Sequence, residues 1–183
     1  MILFTAIRRF YTGQPLFSYG SGLSLTVFAL SSVQDSAQEQ SPKVHFVNTA
    51  TTEFTAAAML SNVGSMAGSS VAFAWFGPSS AQHHEVLAKR LGQAPPQRML
   101  AGYTRSDSLN VGESQRLDFR VDVADLGFVD TSGVRVLPAG EYVLQLDLGP
   151  KAMEPDHEVS WAGELIGEVL QTVLVERDLS LAQ

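Results

Sequence analysis

Leu117-Asp118-Phe119-Arg120-Val121-Asp122-Val123 alternates apolar and charged residues without a break. Successive side chains of an extended strand point to opposite faces, so Leu117, Phe119, Val121 and Val123 share one side and Asp118, Arg120 and Asp122 the other. Such a stretch reads as a strand with one face on a core and one in water, the pattern of an antiparallel sheet. Working outward, the same period recurs. Val44, Phe46 and Asn48 fall on one side of a short strand, with His45 and Val47 opposite. Phe54, Ala56, Ala58 and Leu60 alternate up to a turn at Asn62-Val63-Gly64. Ser70–Phe76 is apolar on both faces, with Val71, Phe73 and Trp75 against Ala72, Ala74 and Phe76, as a central or covered strand requires. Val134–Leu137, a turn at Pro138-Ala139-Gly140 and Glu141–Leu148 predict a hairpin. Residues 159–164 and 168–176 predict a closing pair of strands.

Two segments break the pattern. Residues 35–42 (D-S-A-Q-E-Q-S-P) are polar and predict a mobile loop. Residues 81–91 (A-Q-H-H-E-V-L-A-K-R-L) predict about two turns of helix with Val86, Leu87 and Leu91 on one side, bounded by Gly77-Pro78 and Pro95-Pro96. The fold class is therefore all-β, an antiparallel β-sandwich with a short helical insert. Three parts follow: a linker or interface segment over residues 1–22, the sandwich over 23–177 and a tail over 178–183.

Composition narrows the function. The 183 residues suffice for one well-cored domain, and 45% hydrophobic with 17% charged residues is ordinary for a globular chain. A net charge of −7 argues against nucleic acid, since no basic patch exists to neutralise phosphates. No apolar run approaches the roughly 20 residues that cross a bilayer, so no membrane partner is expected. With no cysteine, disulfides and thiolate metal sites are excluded, and redox chemistry does not report the compartment. Met1–Ile7 is apolar, but Arg8-Arg9 follow rather than precede it, the wrong order for a secretory signal. That segment reads as a strand or linker remnant.

Residues 9–28 (R-F-Y-T-G-Q-P-L-F-S-Y-G-S-G-L-S-L-T-V-F) carry an aromatic-rich lead-in, two glycines one residue apart and then a run of β-formers from Leu23 to Leu30. The stretch resembles the junction R-F-Y-x-G-x-x-L-F-P-F-G-x-G-L-S-Y-T-x-F before the C-terminal fibronectin type III-like module of glycoside hydrolase family three, the β-xylosidases and β-glucosidases. It departs from that pattern at Ser18, Tyr19, Ser21 and Leu25. The likeness continues through Val63-Gly64-Ser65-Met66-Ala67-Gly68-Ser69-Ser70-Val71, similar to the family's N-x-G-x-x-A-G-x-x-V turn, and through residues 96–105, similar to P-x-K-x-L-x-G-F-x-R. Ala124-Asp125-Leu126, Asp130, Gly133, Leu137, Pro138, Gly140, Tyr142 and Leu146–Leu148 resemble the β-xylosidase branch, as does the stretch from Trp161 to Glu168. Arg9 to Val175 is covered; the helical insert around His83 is the largest departure.

The resemblance implies that the sandwich is immunoglobulin/fibronectin type III-like, and that the chain is a non-catalytic accessory domain of a β-xylosidase-like enzyme acting in xylan breakdown. Its partners would be a catalytic barrel and an α/β domain, and it would be extracellular if the parent is exported. The catalytic nucleophile and acid/base residue would lie upstream of this module, so the parent would be the glycosyl hydrolase and this chain would carry no catalytic residue. Phe10, Tyr11, Phe17, Tyr19 and Phe28 are the candidate interface residues. Trp75 and Tyr103 are the candidate sugar contacts, under the alternative reading of an independent polysaccharide-binding module.

Other chemistry finds a plainer explanation. A retaining glycosidase needs two carboxyl groups about 5–5.5 Å apart, whereas Asp118 and Asp122 alternate with apolar residues as a solvated strand face requires, and Asp125 lies just beyond. His83-His84-Glu85 has no further ligand at a zinc-like spacing, so both histidines read as surface loop residues. Asp130-Thr131-Ser132-Gly133 lacks the later acids of a calcium loop. No nucleophile motif, phosphate loop or dinucleotide fingerprint occurs, so no metal or cofactor is expected.

Overall fold

A computed structural model describes residues 24–33, 44–149, 165–166 and 168–181. In chain order the elements are β1 (Phe28–Ser32), β2 (Val44–Val47), β3 (Glu53–Asn62), β4 (Val71–Pro78), α1 (Ala81–Leu91), β5 (Met99–Arg105), β6 (Ser114–Asp122), a 3-10 turn (Val123–Leu126), β7 (Phe128–Val129), β8 (Arg135–Leu137), β9 (Gly140–Asp147), β10 (Leu165–Ile166), β11 (Glu168–Val175) and β12 (Leu179–Ser180). They form a four-stranded sheet in the order β10-β1-β3-β6, a five-stranded sheet in the order β2-β11-β9-β4-β5, and a small sheet β12-β8-β7. The all-β sandwich expected from alternation is the fold found. Its pairing is mixed rather than purely antiparallel, because β1 runs parallel to β10 and β2 runs parallel to β11.

The core lies between the two larger sheets. Leu117, Phe119 and Val121 of β6 point inward beside Ala56, Ala58 and Leu60 of β3 and Phe28 and Leu30 of β1. They meet Ala72, Ala74 and Phe76 of β4, Tyr142, Leu144 and Leu146 of β9, and Val169, Val173 and Val175 of β11. Each large side chain removed from water in this way contributes about 1.5–3 kcal/mol. β4 is the central strand its two apolar faces require, between β9 and β5, with a bulge at Ala74/Trp75. Gln171 is a buried polar link between the sheets. Its Nε2 donates to the Ala57 carbonyl at 3.1 Å, and its Oε1 lies 2.7 Å from His45 Nε2.

The helix spans Ala81–Leu91, as the sequence predicts, but its stops differ from the flanking prolines. Ser80 caps the N-terminus by accepting from the His83 N–H, and Gly92 ends the helix at φ 72°, a left-handed conformation open to glycine at little cost. Leu87 and Leu91 are buried, whereas Val86 is exposed.

Three expectations are corrected. β8 and β9 do not form a hairpin: β8 pairs with β7 and β12, and β9 with β11 and β4. The turn at Pro138–Gly140 carries the chain from one sheet to another because side chains hold it there. Tyr142 Oη donates to the Pro138 carbonyl at 2.7 Å, and Asp178 Oδ1 accepts the Ala139 N–H at 2.8 Å. Residues 178–181, expected as part of a tail, instead include β12, with Leu179 buried and Leu181 packed on the core. Phe28, grouped with the interface residues, is 1% exposed on the inner face of β1. The expected loop over 35–42 and the expected strand over 159–164 lie outside the described residues.

Candidate functional site

The sequence candidates scatter. Trp75 is 2% exposed, so it offers no open platform for a sugar ring. Its indole N–H donates to Asp147 Oδ1 at 3.1 Å, and the Arg98 guanidinium lies 5.0 Å above its ring. Asp147 also accepts from Gln145 Nε2 and from the Gly149 N–H. Tyr103, by contrast, is 71% exposed on β5. Phe10, Tyr11, Phe17 and Tyr19 lie outside the described residues. Asp118 pairs with Arg116 at 2.9 Å, Asp122 caps the 3-10 turn through the Ala124 N–H, and Asp130 closes its own loop by accepting from Ser132 and Val134. These are the roles of solvated strand and turn carboxylates. Among the described residues no three His, Asp or Glu side chains converge as a metal site would need.

The sequence reading did not foresee a corner built on Tyr142. The Tyr142 hydroxyl reaches back four residues to Pro138, the arrangement called a tyrosine corner in immunoglobulin-like sandwiches. Its ring stacks on Phe76 at 4.8 Å and on Phe128 at 6.0 Å, and burial pushes the phenol above its usual range. Helix α1 closes the corner. The His83 ring packs 4.8 Å from Tyr142, and a Cβ at Gly140 would come within 2.7 Å of its Nε2. Arg90 grips Asp178 and donates to the Ala139 carbonyl at 3.3 Å. Both histidines therefore belong to a helix rather than a loop, and His84 Nε2 sits 2.9 Å from the Pro95 carbonyl.

Burial holds the His83 imidazole below its ordinary value of 6.5, with Arg90 and His84 adding to the effect and the Glu141 backbone and carboxylate opposing it. Its Nδ1 is buried without a well-formed hydrogen bond. Because the folded state resists protonation, the unfolded chain binds the extra proton as pH falls through 6.5, and stability drops. Thermal unfolding is thus expected at a lower temperature near pH 5.5 than near pH 7.5, and His83→Gln is expected to flatten that difference. Asp178, held below 3.8 by the Ala139 N–H and by Arg90, loses its contribution only at more acid pH, so the two windows separate. Equal slopes in both proteins over the upper window would refute the assignment.

The outer face of the five-stranded sheet is the other notable surface. Register places Leu170, Gln145, Trp75 and Leu100 in one row across β11, β9, β4 and β5. Thr172 and Leu174 of β11 stand beside Val44 and Phe46 of β2. Phe46 is 61% exposed, Leu170 51% and Leu100 39%.

Comparison with known proteins agrees with this architecture. The family model for the fibronectin type III-like domain matches residues 88–147. The exo-1,4-β-xylosidase xlnD of Aspergillus awamori is 28% identical over 174 residues, covering 85% of this chain and 20% of the xylosidase. The corresponding Aspergillus niger enzyme is 27% identical with the same coverage. The chain thus spans about a fifth of the length of these curated relatives. Among solved structures, a GH3 exo-β-xylosidase (XlnD) in complex with a xylobiose aziridine activity-based probe superposes with a TM-score of 0.65 at 21% identity, over 96% of this chain and 20% of that one. The β-glucosidase 3B of Thermotoga neapolitana in complex with glucose gives 0.62 at 19% identity, over 93% and 19%. With its corner and sheet order, the chain is an all-β sandwich in which residues 88–147 match the fibronectin type III-like family model; it is similar to about a fifth of the Aspergillus xylosidases and shares its fold with part of the GH3 xylosidase and β-glucosidase structures.

Proposed function

We propose that this module is a non-catalytic accessory domain of a β-xylosidase-like enzyme, packing against a catalytic barrel and an α/β domain that act in xylan breakdown. The observation that carries the reading is one of proportion: 85% of this chain aligns with only 20% of an exo-1,4-β-xylosidase. The geometry supports it. The carboxylates of β6 stand on a solvated face in alternation, with Asp118 held by Arg116, and glycoside hydrolysis asks for two facing carboxyl groups. If the parent is exported, the module works outside the cell.

The purified chain is expected to release no nitrophenol from aryl-xyloside or aryl-glucoside above buffer. A chimera of the Aspergillus awamori xylosidase, with its matching fifth replaced by this chain, is expected to be soluble and to cleave aryl-xyloside. Turnover by the isolated chain that vanished in Asp118→Asn, or an inactive chimera, would overturn the proposal.

A further inference from the structure

Helix α1 and strand β12 reach the tyrosine corner from distant parts of the chain and meet on one turn. Arg90 of α1 pairs with Asp178, the residue before β12, and the two hold Ala139 through its carbonyl and its N–H respectively. The C-terminal arm then runs on along β8. Leu179 and Ser180 pair with Leu137 and Val136, and the Leu181 N–H donates to the Arg135 carbonyl at 3.0 Å. These are slight elements: β7, β8 and β12 have two or three residues each, whereas β3 and β6 have ten and nine. Segments tied by few backbone hydrogen bonds open at lower free energy than long core ladders. His83, one turn before the buried Leu87, is the contact of the helix with the corner. Its ring packs against Tyr142 and leaves no room for a side chain at Gly140, while Nδ1 is sealed from water without a well-formed hydrogen bond. Arg90 and His84 face the ring from α1 and Glu141 from β9, so a proton placed there meets a guanidinium and a second imidazole as well as one carboxylate.

We propose that α1 and the β12 arm form one clasp over the tyrosine corner, which opens when His83 takes up a proton while the two large sheets stay closed. Opening lets the imidazolium reach water, and it uncovers Tyr142 and the seats of Leu87 and Leu91. Arg90 couples the two arms, because a helix that lifts withdraws the guanidinium from both Asp178 and Ala139. Asp178 is held below its ordinary range and keeps its charge near neutrality, so the ion pair is not what titrates. The sign follows from the burial of His83. The closed corner resists the proton and the open one accepts it, so closure is strongest above pH 6.5 and weakens as pH falls through that value. The corner thus carries both an element that can open and the group that biases it.

Hydrogen exchange of the full chain, followed by mass spectrometry, tests this at about pH 7.5 and about pH 5.5 with the intrinsic pH dependence of amide exchange removed. Peptides from residues 81–91 and 178–181 are expected to lose protection together at the lower pH, by about threefold or more. Peptides from β3 and β6 should not change. His83→Gln, which keeps a polar side chain without the charge, is expected to remove the pH dependence. His83→Phe, which keeps a ring that cannot take a proton, carries the same test should the glutamine variant fail to fold. Protection at 81–91 that ignores pH overturns the proposal, and so does a loss shared equally by β3 and β6, which is global unfolding. A loss that survives in a folded His83 variant assigns the titration to another group, and a loss at 81–91 that leaves 178–181 unchanged means there is no single clasp. Either of these results overturns it too. Should neither variant fold, the comparison of the four peptides within the unaltered chain still decides whether opening is confined to the corner.

Discussion

Tyr142→Ala is expected to cost the chain about 3–5 kcal/mol, the range for removing a large buried aromatic. Tyr142 is fully buried and stacked on Phe76 and Phe128, with His83 against its edge, so truncation opens a cavity walled by three other rings. It also releases the Pro138 carbonyl, the anchor of the turn that moves the chain between sheets. A domain of this size holds only about 5–15 kcal/mol in total, so the variant would sit near the edge of folding. Tyr142→Phe separates the two effects. It keeps the ring and strands the carbonyl, for an expected cost of about 1–3 kcal/mol. Urea unfolding of the three proteins measures both. If Tyr142→Phe matched the unaltered chain, the corner hydrogen bond would contribute nothing and only packing would remain.

A comparable loss, about 3 kcal/mol, is expected from Asn62→Ala, although the residue removed is small and polar. Asn62 has no exposed surface at the end of β3. Its Nδ2 donates to the Met66 and Leu109 carbonyls at 2.7 and 2.9 Å, and its Oδ1 accepts from Thr26 Oγ1 and the Gly64 N–H at 2.9 and 3.1 Å. One side chain thus satisfies groups from four points along the chain. Alanine abandons all of them, and a buried unsatisfied group costs more than a hydrogen bond yields. Ser61→Ala, one residue earlier and facing outward beside Ser114, is expected to stay within about 0.5 kcal/mol. A small loss at Asn62, equal to that at Ser61, would mean that water replaces the amide.

The periodic features were legible because they are local. Alternation in β6 needs only seven consecutive residues, and α1 shows in its own apolar spacing, although Ser80 and Gly92 rather than the flanking prolines end it. What escaped depends on distant partners. Trp75 finds Asp147, a residue 72 positions away, and so becomes buried structure rather than a sugar platform. Asn62 reads as an ordinary turn asparagine until Thr26 and Leu109 are brought to it. The supposed hairpin at Pro138–Gly140 has every local mark of one, and only Tyr142 and Asp178 reveal a crossing between sheets. Phe28 could have been placed inside from the alternation of its own strand; the aromatic lead-in before it drew the reading outward.

The parallel pairing of β1 with β10 and of β2 with β11 joins opposite ends of the sequence in both large sheets. Loop closure over such spans precedes the contacts that reward it, so the chain is expected to fold slowly, on the millisecond-to-second scale of sandwiches with distant pairings. Synthesis adds an ordering constraint. The stretch matched by the family model, residues 88–147, contains β9 but neither β4 nor β11, the two strands that flank it. That stretch is not an autonomous folding unit. A nascent chain must wait for β11 to emerge before the five-stranded sheet can close, and until then the edge of β9 that β11 will pair stays open.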